Sequence, residues 1–237
     1  MFSGIVEQLA SVASVERLPG KSASIRVNLG KLAGDTKRGD SVCINGVCLT
    51  ATTKRKTVVS FDVIEETLRV TNLGTIAKGS RVNIERSLHP SDRIGGHFVT
   101  GHIDSTGTIS KVEKERDGSL KMFVETDPEL LLLMVHKGSV AVDGVSLTVV
   151  DVAEKSFSVC LIPETLTKTT LGYKAQGDSV NIEADMIGLG AIGLEPDFEV
   201  TDEISLCPLN LFLCQAFFFH PFQLPQHPLD SCLQLIG

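Results

Sequence analysis

The sequence predicts an all-β protein: two homologous small barrels or sandwiches in tandem, followed by a C-terminal segment of different character. Three observations predict it. The chain repeats itself at a spacing of 98 residues. Short β-branched runs recur within each copy at roughly ten-residue spacing, bounded by Gly, Asp, Asn or Lys-Gly turns. Helical signals are few.

The repeat is direct. A shift of 98 lays NGVCLT (45–50) on DGVSLT (143–148) with four of six positions identical. The same shift lays FDVIEETLRVTNLG (61–74) on VCLIPETLTKTTLG (159–172) with seven of 14 identical, and GSRVNIE (79–85) on GDSVNIE (177–183) with five of seven. Chance at average composition gives roughly two matches over such a length, against 16 of 27 here. Upstream, a shift of 97 pairs FSGIVEQLASVASVE (2–16) with VTGHIDSTGTISKVE (99–113), Gly4 on Gly101 and Glu16 on Glu113, so one residue of loop accounts for the slip. The expected domains are residues 1–97, 98–187 and an unrepeated tail, 188–237.

Taken in order, SIRVNL (24–29), SVCINGVCLTAT (41–52), TVVSFDVI (57–64) and RVNIER (81–86) read as strands of the first copy, with counterparts in the second. ETLRVTNLG and ETLTKTTLG each suit a turn or two of helix ending at Gly, and DPELLLLMVHKG opens with Asp-Pro and stops at Lys-Gly. These helical pieces read as caps on a barrel. KVEKERDG (111–118) reads as a solvated hairpin.

Composition narrows the function. The chain has 237 residues, 42% of them hydrophobic and 22% charged, which suits an ordered globular protein. A net charge of −7 and the lack of a basic arm argue against nucleic acid as partner. Six cysteines, at 43, 48, 160, 207, 214 and 232, form neither a CxxC pair nor a regular framework, which predicts a reducing cytoplasm and no structural zinc. MFSGIVEQLA lacks a basic region followed by an apolar run, so no secretory signal is expected. The apolar run 204–219 is interrupted by Pro208, Asn210 and Gln215, and no membrane span is expected.

Two like frames suggest two pockets for the same or similar small molecules, and the differences between the copies then carry the chemistry. Copy one has Ile5 where copy two has His102, and Cys48 where copy two has Ser146. That pattern suits like ligands in unlike roles, with an imidazole near one and a thiol near the other. The pattern alone favours a plainer alternative, in which Cys48 is a small buried hydrophobe and His102 a satisfied strand histidine.

Six strings in order, MFSGIVE, NGVCLT, ETLRVTNLG, GGHFVTGH, KGSVAVDGVSLT and LIPETL, resemble the riboflavin synthase family over residues 1–187. The resemblance implies that each half is a six-stranded Greek-key barrel binding one 6,7-dimethyl-8-ribityllumazine. The paired substrates exchange a four-carbon unit to give riboflavin and a ribitylaminopyrimidinedione, 5-amino-6-(D-ribitylamino)uracil, without metal or organic cofactor. It further implies a homotrimer whose active site lies between the first barrel of one subunit and the second barrel of another.

Carried over by position, the resemblance assigns Gly4, Ile5, Val6, Cys48, Leu49, Thr50 and Asp62, Val63, Ile64, Glu65, Glu66, Thr67 to the first pocket. It assigns Gly101, His102, Ile103, Lys137, Ser146, Leu147, Thr148 and Leu161, Ile162, Pro163, Glu164, Thr165, Leu166 to the second. A flat heterocycle needs backbone donors and acceptors along strand edges, and a ribityl chain needs hydroxyl and carboxylate partners. The lumazine C7 methyl is acidic because its carbanion delocalises into the ring, so His102 is the expected proton-transfer group. Cys48 and Ser41 are expected to position or activate one substrate, with Ser146, Thr148 and Lys137 orienting the other and Phe2 packing over the site.

Other signals are weaker. GLGAIG (188–193) fits a dinucleotide loop, but too little chain follows for a doubly wound sheet. Gly20-Lys21-Ser22 lacks the earlier Gly of a phosphate loop. His97 and His102 lack a third ligand, so no metal site is expected. A second function class is a lumazine or flavin carrier without turnover; such a protein is expected to lose reactive side chains that this chain keeps. The tail departs from the amphipathic helix that family members usually end with, holding five of nine prolines and six of 11 phenylalanines.

Overall fold

The computed structural model describes residues 1–187. The expectations for the 188–237 tail lie outside the described residues.

Twelve strands form two closed antiparallel barrels. The first contains β1 (Gln8–Arg17), β2 (Ala23–Asn28), β3 (Ser41–Ile44), β4 (Val47–Arg55), β5 (Val58–Val63) and β6 (Arg81–Arg86). The second contains β7 (Ser105–Lys114), β8 (Leu120–Glu125), β9 (Ser139–Val142), β10 (Val145–Val152), β11 (Ser156–Leu161) and β12 (Ser179–Ala184). Around the first the order is β1-β2-β5-β4-β3-β6, and the second has the same cyclic order with each strand advanced by six. This is the Greek-key arrangement: a central run of hairpins, with the last strand returning between the first and third.

Alternation builds each core. On β2 the pattern is inward at Ala23, Ile25 and Val27, and those side chains meet Val59, Phe61 and Val63 of β5 in one buried cluster. Ile109, Met122, Val124, Phe157, Val159 and Leu161 do the same in the second barrel. With every strand edge paired in a ring, neither barrel offers a free edge to another chain.

The helical pieces fall where the sequence placed them. The short helices α1 (Glu65–Val70) and α3 (Pro163–Lys168) each run into a 3₁₀ turn, Asn72–Thr75 and Thr170–Tyr173. The Thr71 and Thr169 hydroxyls cap those turns by accepting from Leu73 N and Leu171 N. One turn, α2 (Pro128–Leu131), starts at Asp127, whose carboxylate accepts from Glu129 N at 3.0 Å.

The two barrels meet about an internal two-fold relation in which equivalent residues exchange contacts. Asn83 of β6 donates its side-chain amide to the Asp143 carbonyl at 2.9 Å, while its equivalent Asn181 of β12 donates to the Asn45 carbonyl at 2.7 Å. In return Thr170 N donates to Asn83 Oδ1 and Asn72 N donates to Asn181 Oδ1, each at 2.7 Å. On the axis sit the hairpin tips. Asn45-Gly46 and Asp143-Gly144 all have positive φ, the two-residue turn that matches strand twist. A Cβ on Gly46 would stand 2.9 Å from Gly144 N, and one on Gly144 would stand 2.7 Å from Gly46 N, so only glycine lets the tips touch.

Asp143 departs from this symmetry. It is wholly buried, accepts from Asn72 Nδ2 at 2.7 Å and Asn181 N at 2.8 Å, and pairs with Lys174 at 3.2 Å. Burial pushes its carboxyl above the usual range, with Lys174 pulling the other way. The first copy has Asn45 at this place and Ile76 opposite Lys174 in the repeat.

Candidate active site

The segment ahead of each barrel is bent across to the other barrel. Glu85 of β6 is buried, and its carboxylate accepts Ser3 N and Ser3 Oγ at 2.7 Å and Gly4 N at 3.0 Å. Its equivalent Glu183 of β12 accepts Thr100 N at 2.6 Å, Thr100 Oγ1 at 2.8 Å and Gly101 N at 2.9 Å. Burial raises both carboxyls, and those hydrogen bonds oppose the rise. So held, Gly4 accepts from Ser146 N at 2.8 Å and Gly101 accepts from Cys48 N at 2.9 Å. Both glycines have positive φ, and a Cβ on either would come within 2.6 Å of the Cβ of Ser146 or Cys48.

This crossing corrects the expected grouping. Gly4, with Ile5 and Val6 behind it, lies against Ser146 of the second barrel, not beside Cys48. Gly101, with His102 and Ile103 behind it, lies against Cys48 of the first. The physical reason is that backbone pairing with β6 begins only at Glu7, whose N–H reaches Ile84 O, and the residues before it are held instead by the Glu85 side chain. The imidazole segment and the thiol therefore share one side of the molecule.

The other expected residues divide by the alternation of their strands. Leu49, Val63, Leu147 and Leu161 turn into the barrel cores, which leaves only their backbones for a ligand. Thr50, Asp62, Ile64, Glu65 and Glu66 are exposed, as are His102, Lys137, Thr148, Ile162, Pro163 and Glu164, while Thr67, Thr165 and Leu166 are half-buried. Glu65 pairs with Lys21 at 3.0 Å, and Glu66 is held below the usual carboxylate range by its hydrogen bonds with Arg69. Lys137 adopts a positive φ and donates its backbone N–H to Val149 O. Phe2 is not a lid: it is fully buried between the barrels with Cys43, Val99 and Ala141, bridged backbone to backbone with Val99.

Ser41 and Ile5 instead share a cleft of about 560 Å³, a volume in the range of small-molecule sites. One wall is an ion-pair network in which Arg86 reaches Glu7 at 2.7 Å and Asp35 at 2.9 Å. Burial raises the Glu7 carboxyl, and the Arg86 hydrogen bonds outweigh that to leave it lowered. Positions 48–50 and 62–67 do not line this cleft.

His97, which sequence reading considers only as a metal ligand, contacts one of the expected site residues. Its Nδ1 lies 2.7 Å from Ser146 Oγ, and its buried Nε2 finds no hydrogen-bond partner among the described residues. Burial lowers its pKa, with Asp185 opposing, which favours the neutral ring; its tautomer decides whether Nδ1 accepts from the Ser146 hydroxyl or donates to it. A lone histidine without a metal partner gives no signal of this in sequence. Among the described residues no group of three or more His, Cys, Asp or Glu is placed to hold a metal ion, and no helix is long and apolar enough to cross a membrane.

Comparison with known proteins reproduces the duplication: residues 3–87 and 100–185 each match the lumazine binding domain. The chain is 40% identical over 188 residues to the riboflavin synthase of Bacillus subtilis, covering 79% of this chain and 86% of that one. It is 41% identical over 185 residues to that of Escherichia coli, covering 78% and 87%. The chain belongs to the riboflavin synthase family. The riboflavin synthase of Chlamydia trachomatis is 40% identical over 205 residues, covering 86% of this chain and all of that one. Among solved structures, LumP complexed with 6,7-dimethyl-8-(1′-D-ribityl) lumazine has the same fold, with a TM-score of 0.70 at 22% identity over 78% of this chain and 99% of that one. Riboflavin synthase membership accounts for the two barrels and for the paired motifs at equivalent places in them.

Proposed function

We propose that the chain is a riboflavin synthase that converts two molecules of 6,7-dimethyl-8-ribityllumazine, by transfer of a four-carbon unit, into riboflavin and 5-amino-6-(D-ribitylamino)uracil. The observation that carries this is the presence of two lumazine binding domains in one chain about 40% identical to named riboflavin synthases. One barrel per substrate supplies two like ligands, and the unlike pairs Ile5/His102 and Cys48/Ser146 supply unlike roles. Neither a metal nor an organic cofactor takes part in this reading, because the acidic methyl group and the ring itself carry the electron flow.

In this reading His102 moves the C7-methyl proton, while Cys48 and Ser41 position the acceptor substrate. Ser146, with His97 behind it, orients the donor together with Thr148 and Lys137. Holding two substrates face to face supplies much of the acceleration. The exposure of Thr50, Asp62, His102, Lys137, Thr148 and Ile162 in the single chain supports a site completed by a second barrel from another subunit, as in a homotrimer. The reaction suits a cytoplasmic enzyme with free thiols.

The test is to incubate the purified chain with the lumazine alone and follow both chromophores. One riboflavin formed per two lumazines consumed supports the proposal. Tight binding with no product would make the chain a ligand carrier instead.

A further inference from the structure

The hairpin that presents Cys48 also carries a second thiol directly across from it. The two-residue turn Asn45-Gly46 sets Ile44 opposite Val47 and Cys43 opposite Cys48. Val42, Ile44, Val47 and Leu49 fill the first barrel's core, so both cysteines project from the opposite face of the hairpin. There Cys43 is buried with Phe2, Val99 and Ala141, and Cys48 packs at the edge of that cluster. The Cys48 N–H is given to Gly101 O, which makes Cys43/Cys48 a pair without mutual ladder hydrogen bonds. Cα atoms in such pairs are about 4.5 Å apart and the side chains lean together, inside the roughly 4.4–6.8 Å that a disulfide spans. The second copy has Ala141 and Ser146 at these places, so the dithiol belongs to the first barrel alone.

We propose that Cys43 and Cys48 are a peroxide-sensitive dithiol that closes to a cross-strand disulfide and removes the Cys48 thiol from the substrate face. The loss of turnover that this entails rests on the function proposed above; the bond itself does not. Half-buried Cys48 is the sulfur a peroxide reaches first. Its thiolate attacks one peroxide oxygen, the O–O bond breaks, and hydroxide leaves to give a sulfenic acid. Burial, with Glu85 and Glu183 nearby, pushes the Cys43 thiol well up, so it is the poorer nucleophile toward free peroxide and acts only in the second step, against the sulfur held beside it. Its sulfur attacks the Cys48 sulfur, the S–O bond breaks, and water leaves with the Cys43 proton. Two thiols are oxidised by two electrons, and one peroxide is reduced to two waters.

The full chain is treated with hydrogen peroxide, digested with trypsin without reductant, and weighed by mass spectrometry. Both cysteines fall in the tryptic peptide 39–54, which is expected to lose two hydrogens and regain them with dithiothreitol. Riboflavin formation is expected to fall and recover in step. In Cys43→Ala, which places at 43 the residue found at the equivalent Ala141, the peptide is expected to gain two or three oxygens at Cys48, as sulfinic or sulfonic acid, and the loss of activity to be irreversible by dithiothreitol. A wild-type peptide that gains oxygen as the variant does, or that does not change, overturns the proposal, as does a closed disulfide with undiminished turnover. An untreated chain that makes no riboflavin refutes the function proposed above and leaves the mass result to decide the disulfide.

Discussion

At the scale of single residues, the molecule depends on a few positions where backbone approach or burial decides the outcome. Gly101 is one: its φ is +84°, and a β-carbon there would come within 2.6 Å of Cys48 Cβ, which leaves no room for alanine. Gly101→Ala is expected to cost about 1–3 kcal/mol and to free the segment carrying His102. Urea unfolding followed by circular dichroism measures the first, and amide exchange at 100–103 the second. His97 is another. Because burial lowers its pKa below 6.5, the unfolded chain binds the proton more readily. The neutral ring therefore contributes stability that is fully present above 6.5 and is lost as pH falls from there through the lowered folded value. His97→Gln is expected to flatten the stability profile over that interval, and urea midpoints across a pH series check it.

At the scale of elements, the repeated string VNIE shows how period-two alternation assigns work to a strand. Val82 and Ile84 of β6, like Val180 and Ile182 of β12, face the cores, while on the opposite side Asn83 and Asn181 reach the other barrel and Glu85 and Glu183 hold the segments that cross to it. Asn181→Ala would leave the Asn72 N–H and the Asn45 carbonyl buried and unpaired. The expected loss is about 2–4 kcal/mol, read as a lower urea midpoint by circular dichroism. The duplication, most of the strands and the helical caps were legible in the sequence because β-branched alternation and turn residues act locally, whereas β1 and β7, rich in Ser with Ala or Thr, do not stand out. The roles of Asn83 and Glu85 left a trace there, as identities in both copies, without saying what they touched. The crossing of Gly4 to Ser146 left none, since it depends on where a strand stops pairing. The His97–Ser146 contact was illegible for a similar reason: 49 residues separate its partners.

At the scale of the whole molecule, the barrels are joined by buried polar groups that separation would strand. Asn72, Asn83, Asp143 and Asn181 satisfy one another across the interface, and Asp143 adds the Lys174 ion pair. Opening that interface leaves several donors and acceptors dry or newly wetted without their partners, so the two barrels are expected to unfold together. A single transition, coincident by circular dichroism and by amide exchange in both barrels, is the expected result; two resolved transitions would show barrels that stand alone. The internal two-fold has one more implication. Two identical barrels paired as separate chains would have to carry the same side chain at each equivalent place, so a change useful at one site would be imposed on the other. Joining them in one polypeptide lifts that restriction: a cysteine can stand at 48 where the second copy has a serine at 146, and an isoleucine at 5 where it has a histidine at 102, with the shared asparagines and glutamates keeping the frame unchanged. Covalent linkage is what allows the symmetric scaffold to host two unequal halves of one reaction.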